Sequence, residues 1–572
     1  MADAFQVEGA NAGALFTLKV HRGDGMALLG MNWKQGPPPD DFVGFAIEYK
    51  EPGGDKFFVL QNRLAFGNAA GGVNGNRLST RVSPIQKFRW VHFPRNAEIA
   101  GDFHYRVTPV FMNEADELSY GDPQGVAIEL RRETHPGKLN VTFTRGFVSS
   151  QGFVDRFEKD GNIDTLLPKS SDDGLDFTPT HPKAKEALAW MGFEARSAIL
   201  EVLDAAISDE KAQVRVVAYD LSERDVVTRL RKLGKRLRII VDDSAKHGAA
   251  DSAETVAAAR LKKAGATVKR HHMRDLQHNK TIVVDGPTVK QVVCGSTNFT
   301  WRGFFVQANN AVVLTGATAV RVFTAAFDEY MVHDGAGFGG TAPATWKALG
   351  IAGVNARAAF SPHSAGNALL AKIGADVGAT KSSLFFSLAF IHQTQGPIRN
   401  AVEKITRNAK IFSYGMSDKK MGGLDINLPS GKVAPVFPEV LAKNIPEPFR
   451  KEPTGLAGGV GNRMHHKFIV IDFDKPSARV YLGSYNFSPA ADVKNGENLL
   501  LIKDRRVAVS YMVEAIRLFD HYHFRVVSST KTGGTKKTGL TLKRPPRKAG
   551  EKPWWSEDYE NPRKVRDREL FS

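Results

Sequence analysis

His278-Asn-Lys280-Thr-Ile-Val-Val-Asp285, with Gly295-Ser296-Thr-Asn298-Phe299 downstream, returns later in the chain as His465-His-Lys467-Phe-Ile-Val-Ile-Asp472 and Gly483-Ser484-Tyr-Asn486-Phe487. Each copy reads His-x-Lys-x4-Asp and then Gly-Ser-x-Asn-Phe. The apolar run between lysine and aspartate predicts a buried strand. Alternation along a strand puts His278 and Lys280 on one face, and His465 and Lys467 on one face. A lone His-x-Lys reads as a satisfied polar pair. Two copies, each with the same downstream motif at nearly the same spacing, make chance a poor explanation.

The surroundings of the two motifs repeat as well. From about residue 180, helix and strand alternate. Ala184–Trp190 and Ala198–Val202 read as helix, Val214–Tyr219 as strand, Asp225–Lys232 as helix and Leu237–Val241 as strand. After residue 350 the order returns, with Ser383–Phe390 strand-like, Pro397–Lys404 helical and Ala409–Tyr414 strand-like. Such alternation argues for α/β layers around a largely buried sheet. The expectation is a duplication into two lobes, 180–335 and 350–527, with pseudo-two-fold symmetry and a site at the lobe interface. Residues 1–145 carry short β-rich runs separated by turn clusters such as Gly36-Pro-Pro-Pro-Asp40, which predicts an all-β sandwich. Residues 146–179 read as a linker. In the tail, 528–572, Lys531, Lys536, Lys537, Lys543, Arg544, Arg547, Lys548 and Lys552 lie among Gly, Thr and Pro, and Trp554-Trp555 follows. That composition predicts a solvated basic arm whose end is docked by its aromatics.

The chain has 572 residues, 78 Lys plus Arg against 61 Asp plus Glu, and a net charge of +17. The charge points to anionic partners, nucleic acid or anionic lipid, without choosing between them. The single cysteine, Cys294, excludes an intramolecular disulfide, a multi-cysteine zinc site and an iron–sulfur cluster, and reads as a small buried hydrophobe. No acidic or cysteine cluster supports a metal at His271, His272 and His278, so neither metal nor cofactor is expected. No apolar run approaches the roughly 20 residues of a membrane span. The N-terminus has no basic region followed by an apolar stretch. A cytoplasmic protein is the expectation.

The paired motifs resemble the double signature of the phospholipase D superfamily over roughly residues 180–527. The stretch around Trp33, Ile47, Tyr49 and Tyr105 loosely resembles a fibronectin type III or immunoglobulin-like module. The superfamily resemblance implies two α/β lobes with one active site between them and metal-independent phosphodiester chemistry. The residues suit that chemistry. Lys280 and Lys467, with Asn298 and Asn486, can hold the non-bridging oxygens and offset charge in the transition state, and Ser296 and Ser484 can add hydroxyl donors. One neutral imidazole attacks phosphorus to give a phosphohistidine, and the other protonates the leaving oxygen. Glu497 lies as far beyond Asn486 as Asn309 lies beyond Asn298. In the family this region often supplies a carboxylate to the catalytic imidazole. Read within each copy, His465 with Glu497 suits the general acid and His278 with Asn309 the neutral nucleophile. Family precedent also places the nucleophile in the first copy. The missing first-half acid resembles the tyrosyl-DNA phosphodiesterase branch. Asp285 and Asp472 end their strands and read as supporting residues.

Two substrate classes compete. Glycerophospholipid hydrolysis to phosphatidic acid fits a duplicated motif in one chain of this size, with Trp554-Trp555 and the basic tail at an anionic interface. A nuclease or other nucleic-acid phosphodiesterase fits the net charge and the segment Arg229-Leu-Arg-Lys-Leu-Gly-Lys-Arg236. A binding protein with vestigial lobes is the weakest reading. The duplication makes a monomer sufficient and a dimer permissible.

Overall fold

The computed structural model describes residues 4–67, 78–130, 133–146, 150–335, 337–388, 391, 395–418, 424–427, 433–436, 464–530 and 541–572. Near the N-terminus, Gln6–Glu8, Phe16–Gly23, Met26–Trp33 and Arg89–His92 form one antiparallel sheet. Leu118–Tyr120, Asp102–Met112, Phe42–Lys50 and Phe58–Val59 form a second, and Gln124–Glu129 pairs with Asp102–Met112. The inward residues of both sheets, among them Phe16, Leu29, Trp33, Phe42, Ile47, Tyr49 and Tyr105, share one core. Two sheets burying alternate side chains against each other make a sandwich.

Each motif strand lies inside a larger mixed sheet. In lobe 1 the order is Leu139–Phe143, Asn310–Thr315, Lys290–Gly295, Lys280–Asp285, Gln213–Ala218, Leu237–Val241, Thr267–Arg270. In lobe 2, Asn355–Ser361, Glu497–Lys503, Arg479–Gly483, Lys467–Ile471, Ser383–Leu388 and Phe412–Asp418 follow in the same order. The registers correspond too, since Ala218 pairs with Lys280 as Leu388 pairs with Lys467. The duplication is thus one of topology as well as of motif.

Two sequence expectations change, and that for the tail holds at its aromatic end but not at Arg544 and Arg547. Leu139–Phe143, placed within the 1–145 β domain, pairs instead with Asn310–Thr315 and occupies the sheet position that Asn355–Ser361 holds in lobe 2. Its alternation looked like another sandwich strand because a sheet edge and a sandwich strand share the same period. The segment read as a linker contains the helix Ser150–Phe157, and Phe153, Phe157, Ile163, Leu166, Leu167 and Leu175 are buried in the main core. The end of the tail is built into the fold. Arg544 and Arg547 pair with Asp116, Trp554 Nε1 donates to Phe42 O at 3.0 Å, and Trp555 is buried in the sandwich core. The two tryptophans therefore do not present an interfacial face. Phe571, 1% exposed, packs on Phe385, Phe412 and Phe473 of lobe 2. Lys531, Lys536 and Lys537 lie outside the described residues.

The helix Arg505–Thr530 holds these parts together. Val507, Ala508, Tyr511, Met512, Val513, Ile516 and Phe519 are all buried in the core shared with both lobes. A helix apolar around so much of its circumference belongs inside a protein. Among the described residues no helix is long and apolar enough to cross a membrane.

Candidate active site

Both motif lysines open their strands, Lys280–Asp285 and Lys467–Ile471, and the histidines stand two residues before them at the seam between the lobes. The seam is a set of matched backbone links. His465 N donates to Ala308 O at 3.1 Å, and Gly496 N donates to Leu276 O at 2.8 Å. Side chains repeat the pattern, with Asn498 Nδ2 on Asn279 Oδ1 at 3.0 Å and Asn310 Nδ2 against His466 Nδ1 at 3.2 Å. His466 also contacts Glu514 at 3.1 Å and is fully buried, which gives it a packing role at the seam. The two motif imidazoles thereby meet, with ring centroids 6.4 Å apart and planes inclined by 63°. Both rings can thus approach one bound group, each from its own lobe.

The partners of the imidazoles cross between lobes, which corrects the within-copy pairing. His278 Nδ1 lies 2.8 Å from Glu497 Oε2, and His465 Nδ1 lies 2.8 Å from Asn309 Oδ1 and 3.0 Å from Ser296 O. Asn309 and Glu497 stand at the seam ends of the strands Asn310–Thr315 and Glu497–Lys503. A residue so near the two-fold axis reaches across it more easily than back into its own lobe. Acceptors at both Nδ1 atoms put a proton there and leave Nε2 as the lone-pair nitrogen of the neutral ring.

Ser296 and Ser484 also change role. Ser296 Oγ donates to Asn309 Oδ1 at 2.9 Å, and Ser484 Oγ donates to Glu497 Oε2 at 2.7 Å. Each hydroxyl proton is thus committed to the group that holds the other lobe's imidazole, so the serines orient those groups and do not serve as phosphate donors. Asn309 is further fixed by its Nδ2 on Gly303 O at 3.0 Å. Asp285 accepts from Lys290 Nζ at 2.6 Å. Asp472, at a φ of 54°, accepts from the backbone of Lys381 and Ser382 at 3.0 and 2.8 Å. Both aspartates therefore anchor strand ends.

Both motif lysines are buried. Lys467 Nζ donates to His465 O at 2.8 Å, and Lys280 Nζ donates to His278 O while lying 4.7 Å from the Tyr219 ring centroid. Burial pushes Lys280 down to about 8, against the opposing pull of Glu497 and Asp220. Burial likewise lowers His278, with Glu497 opposing. Burial, followed by the Lys467 and Lys280 charges, holds His465 well below an ordinary imidazole. The site is therefore set to receive an anion, whose charge would restore a proton to one ring.

Asn298 Nδ2 donates to Asp220, while Asn486 Oδ1 is buried with no hydrogen-bond partner among the described residues, beside a small recess lined by Leu370, Leu388, Ile391, Gln395, Ile398, Arg399 and Phe487. Four residues of this neighbourhood, Tyr219, Asp220, Asp242 and His247, escaped the sequence reading. Tyr219, Asp220 and Asp242 follow directly on the parallel strands Gln213–Ala218 and Leu237–Val241. The carboxyl ends of parallel strands are where α/β sheets place ligands, and that was the available signal.

With this geometry in view, comparison with known proteins gives a consistent result. The family described as "Cardiolipin synthase, PLD-like domain" matches residues 203–331 and 416–519, one segment in each lobe. The chain is 31% identical over 124 residues to a phospholipase D of Rickettsia felis, covering 20% of this chain and 58% of that relative. It is 32% identical over 120 residues to a phospholipase D of Rickettsia prowazekii, covering 19% of this chain and 55% of that relative. The match thus spans little more than half the length of these curated relatives. A solved structure, Nuc from Salmonella typhimurium, described as a phospholipase D family member, is 25% identical with a TM-score of 0.21, over 24% of this chain and 86% of that one. The two lobes define a duplicated PLD-like α/β protein. In each lobe the matched segment is similar to the PLD-like domain of that family.

Proposed function

We propose that this protein is a metal-independent phosphodiesterase that works through a phosphohistidine on His278 and hydrolyses glycerophospholipids in the manner of a phospholipase D. The observation that carries the reading is the 6.4 Å approach of the two motif imidazoles, each with its Nδ1 held by the opposite lobe. His278 Nε2 attacks phosphorus while the bond to the leaving oxygen breaks, and His465 Nε2–H passes its proton to that oxygen. Water then attacks the phosphohistidine, gives a proton to His465, and the P–N electron pair returns to His278. Lys280 and Lys467 neutralise the equatorial oxygens in both steps.

The crossed partners support these roles by a different argument from the one that ground-state protonation supplies. The nucleophile gains positive charge as it attacks, and the acid loses it. A carboxylate stabilises the first change and opposes the second, so Glu497 belongs on the nucleophile and the neutral amide of Asn309 on the acid.

For the lipid substrate, the support is the similarity to the phospholipases D of Rickettsia felis and Rickettsia prowazekii. The basic segment that suggested nucleic acid is partly engaged within the fold. Arg229 pairs with Asp204 at 2.8 Å, and Arg236 Nη1 donates to Ala206 O and Asp209 O at 2.8 Å. A paired assay in EDTA tests the reading, with phosphatidylcholine or phosphatidylglycerol vesicles against single- and double-stranded DNA and RNA. Phosphatidic acid released by the wild type, and lost in His278→Ala and His465→Ala, is the expected result. Cleavage of nucleic acid alone would move the substrate to the second class.

A further inference from the structure

Behind the phosphate site of lobe 1 runs a part-buried chain of charged groups. Asn298 Nδ2 donates to Asp220 Oδ2, and Asp220 Oδ1 lies 2.8 Å from His247 Nε2. His247 Nδ1 lies 2.8 Å from Asp242 Oδ1, and Asp242 Oδ2 accepts from Gln277 N at 2.6 Å. The chain therefore starts at the motif asparagine and ends at the residue before His278. Its backbone is fixed as well. Leu221 bridges to Phe299, Ser222 N donates to Phe299 O at 3.1 Å, and Tyr219 N donates to Asn279 O at 3.1 Å. The Tyr219 ring contacts the His247 and His278 rings, with centroids at 4.6 and 4.7 Å.

We propose that Asp220, backed by His247 and Asp242, is a positioning residue that fixes the amide of Asn298 so that its second Nδ2 hydrogen meets the substrate phosphate. An asparagine amide offers two donors and can turn end for end. A carboxylate accepts but cannot donate, so Asp220 admits only the orientation with Nδ2 toward it. The carboxylate needs a counter-charge in so enclosed a place. His247, clasped by two carboxylates and pushed up to about 10, supplies it. Glu254 lies close by; burial and Asp220 raise its pKa, and its Oε1 accepts from Leu221 N at 3.1 Å. Counting on from the Leu388–Lys467 pairing, the sequence has Phe390 where lobe 1 has Asp220.

The proposal rests on the phosphodiesterase reading, and two readouts keep their failures apart. One is turnover of bis-p-nitrophenyl phosphate, and the other is tungstate binding by the full chain, measured by calorimetry. Asp220→Ala is expected to lower kcat by about 10- to 100-fold, the usual cost of losing the partner of a working group, and to weaken tungstate binding. Asp220→Asn keeps an acceptor but can also turn a donor toward Asn298, so it is expected to recover only part of both. In the Asn298→Ala background, Asp220→Ala is expected to add no further loss, because the two act as one unit. If Asp220→Ala does not fold, His247→Gln takes its place, with a smaller loss that again vanishes beside Asn298→Ala. Additive losses in the double variant, or wild-type tungstate affinity and turnover in Asp220→Ala, would overturn the proposal. A wild type that binds tungstate but cleaves no diester would defeat the phosphodiesterase reading and leave the positioning role to be judged on tungstate affinity.

Discussion

Lobe 1 and lobe 2 share a sheet order, a motif and a register, yet they surround their histidines differently. His278 has the Glu497 carboxylate on Nδ1, the Tyr219 ring at its side and the Asp220–His247–Asp242 chain behind its asparagine. His465 has the Asn309 amide, a backbone carbonyl, and a small recess beside its asparagine. A duplicated fold therefore supplies two matching imidazole–ammonium pairs, and the residues around them give each pair a different task. Neither lobe holds a complete site, since each supplies the group that orients the other's ring.

The strongest break in that comparison is expected at the histidines. His278→Ala should abolish turnover and adduct formation together. His465→Ala should slow turnover by about 100- to 10,000-fold, the range of a lost general acid, and let adduct build up in rapid-quench experiments. Equal loss of adduct in both variants would erase the difference between the lobes.

Next come the crossed partners. Glu497→Gln should slow adduct formation by about 10- to 100-fold and leave adduct breakdown less affected. Asn309→Asp gives the acid a carboxylate. It should raise the apparent pKa of His465 and slow leaving-group protonation, visible as a larger loss with alkyl than with p-nitrophenyl diesters. If Glu497→Gln instead acted only on poor leaving groups, Glu497 would serve the acid.

The pH profile sharpens the account further. His278 must be neutral to attack, and burial lowers its pKa. The acidic limb of kcat/KM is therefore expected below the ordinary imidazole value of 6.5. Lys280 must be charged to hold phosphate, so activity should fall as pH rises through about 8. Lys280→Arg keeps the charge at all accessible pH and should remove that alkaline limb, at some loss of kcat. The smallest catalytic effect is expected at Phe571, which packs on Phe385 and Phe412 of lobe 2 and on His21 and Arg89 of the N-terminal sheet. Phe571→Ala should cost about 3–5 kcal/mol of stability, as for other buried aromatics, seen as a lower unfolding midpoint with kcat nearly unchanged below it.

Much of the fold was legible because periodicity reports local structure. The strand Leu237–Val241 lies at the bounds its pattern predicts, and the helix read at Asp225–Lys232 spans Arg224–Leu233. The motif pairs were legible because they repeat. Which lobe Glu497 and Asn309 serve was not, since sequence spacing is the same whether a residue at a two-fold axis reaches back or across. The serines misled for a related reason, because a hydroxyl beside a phosphate motif looks like a donor until its proton is found on Asn309 or Glu497. Leu139–Phe143 was misassigned because a strand's partner is set by tertiary packing. The docking of the tail's end by Trp554-Trp555 was legible from its aromatics, whereas the engagement of Arg544 and Arg547 by Asp116 was not, because composition does not show a charge's partner.

The central claim is that one imidazole, that of His278, takes up the phosphoryl group. Incubating the wild-type chain with ³²P-labelled diester, quenching in base, where phosphohistidine survives, and mapping the labelled peptide by mass spectrometry tests it most directly. The label is expected on His278; a label on His465 would reverse the two roles and contradict the account.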